Sequence, residues 1–198
     1  MSEDKKDLEK CQINILKALE SSPRVRFLMD ALKNSGCYIG PKNFMCLPCE
    51  PSLSGGYNDE SKLLIICANN CKNYEKVEKI LAHELVHMYD DCTRFIDFKD
   101  TKHLACTEIR AASLVSCSKY SFDYKSFESC VQNNASRSVA LVKDLSDSNA
   151  KEVVKSVFQK CFQDREPFGP GFQYRPDCAL KNDFYMFSRY REQSEKNK

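Results

Sequence analysis

A chain of 198 residues with 30 Lys+Arg against 28 Asp+Glu fits one domain, and its balanced charge, without a long basic run, excludes electrostatic capture of nucleic acid. The longest aliphatic stretch, Leu63 to Ala68, is far too short to cross a bilayer. Twelve cysteines are many for a reduced enzyme and point to crosslinks.

In chain order, residues 1–20 read as an N-terminal extension, charged and disordered over 1–9. Its helix, Leu8 to Glu20, follows from the spacing of Leu8, Cys11, Ile15, Leu16 and Leu19. Residues 21–198 form the domain proper. Met1-Ser2-Glu3-Asp4-Lys5-Lys6 has neither the apolar run of a secretory signal nor the Arg-rich, acid-poor character of a transit peptide. Oxidised cysteines without an export signal are reconciled by the mitochondrial intermembrane space, where import coupled to cysteine oxidation replaces a cleavable presequence. A chain trimmed of its signal fits equally.

Ser22-Pro23 opens a helix over Arg24 to Asn34, with Gly36 as its stop. Cys37 to Gly56 reads as loop or short strands, with Ser54-Gly55-Gly56 marking a turn, and Lys62 to Ala68 as a strand. Cys46-x2-Cys49 and Cys67-x3-Cys71 also have the spacing of a structural zinc site, which would make the chain a zinc-binding adaptor. Helices follow over Glu75 to Asp90, Thr101 to Ser116 and Phe122 to Leu145. Asn149 with Glu152 resembles a capping box opening a last helix to about Asp164. The tail holds Phe172, Tyr174, Phe184, Tyr185, Phe187 and Tyr190, read as packing first and as a partner surface second.

The chemistry sits in His83-Glu84-Leu85-Val86-His87. On a helix the two histidines project from one face, one turn apart, and can grip one zinc ion. Glu84 is then placed to take a proton from a water rather than to bind metal, as in a zinc-dependent peptidase. Glu108, in Glu108-Ile109-Arg110-Ala111 on the following helix, is favoured as third ligand; it looks like the Glu-x-x-Ala pattern of zinc peptidases that take a glutamate from a second helix. His103 is its rival, or else an oxyanion stabiliser or a structural histidine. Asp90 or Asp91 can hold the outer nitrogen of a ligand histidine, and Arg110 can pair with one of them or with Glu108. Tyr89 reads as packing first and as a donor to a tetrahedral intermediate second.

These residues resemble the mitochondrial ATP-synthase-assembly metallopeptidase family, some members of which are labelled Ku-binding-protein-like. The likeness runs over about 23–190. It includes Phe27-Leu28-Met29-Asp30-Ala31, Cys46-x-x-Cys49, Ser54-Gly55-Gly56-Tyr57, His83 to Asp90, His103 to Ala112 and Cys161-Phe162-x-Asp164-x-Glu166-Pro167-Phe168-Gly169. The resemblance implies a disulfide-rich zinc endopeptidase of the intermembrane space, held peripherally at the inner membrane. It implies the proton-channel subunit of ATP synthase, or its precursor, as partner. It also carries an alternative role, a non-proteolytic assembly chaperone for that subunit. The fold expected is α+β: a helix-rich, zincin-like domain with a small sheet beside the HExxH helix.

Overall fold

The computed structural model describes residues 3–120 and 123–169. Within them six α-helices, α1 (Glu3–Ser21), α2 (Pro23–Asn34), α3 (Tyr74–Thr93), α4 (Thr101–Ala111), α5 (Tyr124–Lys143) and α6 (Asp147–Gln163), accompany one small sheet. Its strands are β1 (Phe44–Leu47), β2 (Gly55–Asn58) and β3 (Leu63–Cys67), in the order β1-β3-β2. β1 runs parallel to β3, Phe44 opposite Leu64; β2 runs antiparallel to it, Tyr57 opposite Leu64. The α+β architecture expected from the sequence is the one observed.

Two cores result. Leu64 and Ile66 of β3 turn one face of the sheet into a cluster with Ile15 of α1, Leu28 of α2 and Leu81 and Leu85 of α3. A second cluster joins Leu104 and Ile109 of α4 to Val131 of α5 and Phe158 of α6. α4 belongs to both, since Ala111 lies in the first. The candidate site lies where α3 meets α4.

Short-range chemistry fixes the helices. Ser22 caps α2 by accepting from the Val25 N–H at 3.3 Å, and its hydroxyl donates to Glu78 on α3 at 2.7 Å. Glu78 also accepts from Arg24 at 2.6 Å, so the start of α2 is locked to α3. Asn73 caps α3 through the Lys76 N–H at 2.9 Å, and Asp100 caps α4 through Lys102 and His103.

Several expectations change. The extension expected over 1–20 is helical from Glu3, and Cys11, Ile15 and Ala18 lie in the first core, because the apolar stripe of α1 finds α2 and α3. The last helix is capped by Ser146, not Asn149, and starts at Asp147. The helix expected over Thr101 to Ser116 is α-helical to Ala111 and then widens into a π segment, Ala112–Ser116. The structural zinc site is overturned. Cys49 bonds Cys67, Cys46 bonds Cys11, and Cys71, buried, has no disulfide partner among the described residues. Further bridges join Cys37 to Cys92, Cys106 to Cys161 and Cys117 to Cys130, so ten of the described cysteines are crosslinked. The aromatic tail lies outside the described residues.

Gly55 and Gly56 stand in β2, and the turn falls after them at Asp59 to Lys62, where Asn58 accepts from the Ser61 N–H at 2.8 Å. The reason for glycine at 55 is contact: an added Cβ would stand 2.6 Å from Ile80 Cγ2 on α3 and 2.7 Å from the Ile65 carbonyl oxygen, whereas at Gly56 it would meet nothing within 4 Å. Gly55→Ala is therefore expected to destabilise by about 1–3 kcal/mol, and Gly56→Ala by much less. Urea unfolding of the two variants checks this, and equal midpoints would refute the packing account.

Candidate metal centre

α3 presents His83, Glu84 and His87, and α4 brings Glu108 against them. His83 Nε2 and His87 Nε2 are 3.2 Å apart, and the Glu108 oxygens lie 3.5 Å from His83 Nε2 and 3.6 Å from His87 Nε2. Four ligands about 2.0–2.1 Å from a tetrahedral metal stand roughly 3.3 Å from one another, so two imidazole nitrogens and a carboxylate in this triangle suit zinc. Among groups of three or more His, Cys, Asp or Glu in the described residues, these three alone converge this way, with one atom from each inside 4.8 Å. A further observation supports the fit: Glu108 Oε2 is buried and has no hydrogen-bond partner among the described residues. A buried carboxylate oxygen left bare is costly, and a cation removes that cost.

Electrostatics agrees. Burial raises the Glu84 carboxyl above its usual range, the two imidazoles draw it down, Glu108 pushes it up, and the Tyr57 backbone N–H from β2 draws it down. The net effect is a rise, so the carboxyl holds a proton more readily than an ordinary glutamate. Glu108 is also penalised by burial, but the charges of His87 and His83 beside it outweigh that penalty and hold its carboxyl below the usual range. Burial opposes protonation of His83, yet Glu108 and Glu84 outweigh it and raise the ring above its ordinary value. Two carboxylates facing two imidazoles make a pocket ready for a cation.

The other expected residues are placed as follows. His103 does not join the group. It is exposed on the first turn of α4, and its Nδ1 accepts from the Asp97 N–H at 3.2 Å, because that turn faces the α3–α4 loop rather than α3. Asp91 does not touch a histidine; it accepts from Tyr57 Oη and Lys62 Nζ, each at 2.5 Å, and ties the β2–β3 hairpin to α3. Asp90 is fully buried and reaches His87 only through Thr107. Arg110 pairs with Asp90 and Asp164 and donates to the Asp164 and Glu166 carbonyls, not to Glu108. Tyr89 packs on the first core.

Four contributors were not foreseen. Thr107 and Ser116 touch the outer nitrogens of His87 and His83, the Tyr57 N–H reaches Glu84, and Arg94 bridges Asp90 and Asp164. None of the four carries a signal in the sequence that marks it for this role.

Asp164 gives a pH prediction. Burial works against its charge, but Arg110, the Glu166 N–H and Arg94 prevail and keep its pKa below the ordinary value. A depressed carboxyl contributes stability above the unfolded pKa of about 4 and loses it as pH falls through the lower folded value. Asp164→Asn is expected to lower the melting temperature at pH 7 and to flatten its fall at acid pH. Parallel melts of the two proteins across pH check this, and identical acid limbs would refute it.

A helix-rich α+β domain with an HExxH helix braced by a glutamate from the next helix has the layout of a peptidase. Comparison with known proteins agrees: the peptidase M76 family model matches residues 9–169, and the chain belongs to that family. It is similar to the human "mitochondrial inner membrane protease ATP23 homolog", 38% identical over 171 residues covering 81% of this chain and 70% of that protein. The Xenopus laevis protein of the same name is 36% identical over 192 residues, with 91% and 82% covered. The Debaryomyces hansenii "mitochondrial inner membrane protease ATP23" is 37% identical over 168 residues, with 80% and 71% covered. No solved structure matches the chain. The chain is a peptidase.

Proposed function

We propose that the chain is a zinc-dependent endopeptidase in which His83, His87 and Glu108 hold the metal and Glu84 is the general base. The observation that carries this is the convergence of the three ligand atoms, with a buried Glu108 oxygen that has no hydrogen bond among the described residues. Bound zinc supplies Lewis acidity, which polarises a peptide carbonyl and lets water ionise near pH 7. Glu84, next to His83 and buried, takes the proton of the attacking water on a carboxylate oxygen and returns it to the departing amine. The Tyr57 backbone N–H of the edge strand β2 favours the charged form of that carboxyl.

The proposed substrate is the proton-channel subunit of ATP synthase or its precursor, with assistance to its assembly as a further role. The proposed location is the intermembrane space, peripheral on the inner membrane. Support comes from the family resemblance, from relatives named as mitochondrial inner membrane proteases, and from the disulfides. Among the described residues no helix is long and apolar enough to cross a membrane.

Elemental analysis tests the metal. Oxidised, purified protein is expected to carry one zinc per chain, and His83→Ala and His87→Ala to lose it while keeping their circular dichroism. Active protein without stoichiometric transition metal would overturn the reading.

A further inference from the structure

Each imidazole of the pair turns its outer nitrogen onto a hydroxyl. His83 Nδ1 lies 2.9 Å from Ser116 Oγ and His87 Nδ1 lies 3.0 Å from Thr107 Oγ1. What stands behind the two hydroxyls differs. Thr107 is fully buried, and its hydroxyl donates to Asp90 Oδ2 at 2.7 Å. Asp90 is itself gripped by Arg110, with Nε 3.0 and 2.9 Å from its two oxygens and Nη2 2.8 Å from Oδ1. The Arg110 guanidinium is in turn anchored on the Asp164 and Glu166 carbonyls.

A hydroxyl has one hydrogen. Thr107 gives its hydrogen to Asp90, an acceptor with none to offer in return. Toward His87 the same oxygen can only accept. Nδ1 of His87 must then carry the ring proton, which leaves the Nε2 lone pair directed at His83 and Glu108. Among the described residues Ser116 has no hydrogen-bond partner but His83, so its hydroxyl can turn either way and fixes nothing. A buried helical threonine commonly bonds a carbonyl on its own helix; Thr107 instead bonds across to α3.

We propose that Thr107 is a positioning residue of the metal centre, its hydroxyl holding His87 in the Nδ1-protonated tautomer so that Nε2 is ready as a ligand. The inference rests on the reading that His87 binds the metal. Thr107 and Glu108 are consecutive, so one turn of α4 supplies a ligand and the brace of another. Its rotation sets both.

Two variants separate the hydroxyl from the methyl. Thr107→Val keeps the shape and loses the hydroxyl; Thr107→Ser keeps the hydroxyl. The readouts are zinc affinity, by competition with a chromophoric chelator, and the His87 tautomer, by long-range nitrogen–proton correlation in the metal-free protein. Wild type is expected to show the Nδ1–H form. Zinc affinity is expected to fall about 10–100-fold in Thr107→Val and to stay within roughly threefold in Thr107→Ser. Wild-type affinity in Thr107→Val, equal weakening in both variants, or an Nε2–H ring in metal-free wild type would each overturn the proposal. Wild-type protein that binds no zinc would sink the metal reading instead, and the tautomer measurement would still decide the role of Thr107. Should Thr107→Val fail to fold, the tautomer and the affinity of Thr107→Ser remain decisive.

Discussion

Glu84→Gln is expected to cut peptide hydrolysis by about 10²–10⁴-fold while the protein keeps its metal and its fold. The amide has nearly the shape of the carboxyl and cannot accept the proton of water. Because Glu84 is not among the three converging ligands, the substitution leaves His83, His87 and Glu108 in place, and metal content separates a lost base from a lost ion. Glutamine also removes one negative charge beside two imidazoles, so metal affinity is expected to shift only modestly. Full activity with metal bound would end the role of Glu84 as base. The same variant divides the two proposed roles: it is expected to restore ATP synthase assembly in cells lacking the protein while failing to cleave the precursor.

The largest stability effect is expected at Arg110. Its side chain is almost fully buried between Asp90 and Asp164, and Asp90 has no exposed surface. Arg110→Ala would strand the Asp90 carboxylate in the interior, a loss of about 3–5 kcal/mol. Arg94 does not replace it, since its Nε stands 3.3 Å from Asp90 and has no hydrogen-bond partner there. Arg110→Lys keeps the charge but loses the planar fork that serves Asp90 and two carbonyls together, so an intermediate loss is expected. Denaturant unfolding reads both, and a change below about 1 kcal/mol in Arg110→Ala would refute the burial argument.

How much of this was legible beforehand divides along physical lines. Helical spacing alone puts His83 and His87 on one side of α3, and the apolar periodicity around Leu81 and Leu85 marks that helix as buried. Choosing between His103 and Glu108 needs the rotation of α4 about its axis. Packing in the second core sets that rotation, and it turns Glu108 inward and His103 to solvent. Disulfide partners lie up to 55 residues apart, and spacing carries no information about such pairs. Gly55 looked like turn punctuation because a sequence cannot reveal that Ile80 leans on its backbone. Thr107 was invisible as a brace because one helical hydroxyl is ordinary until Asp90 and His87 are seen on either side of it.

The membership of α4 in two apolar clusters has a mechanical corollary. The imidazole pair rides on the half of the molecule built around the sheet, while the carboxylate facing it rides on a helix whose apolar side is sunk in the three-helix half. A cation held there, as proposed, would rivet the two halves together. Each tenfold gain in its affinity would deepen their cohesion by about 1.4 kcal/mol under saturating ion, making the ion a fastener as well as a reagent.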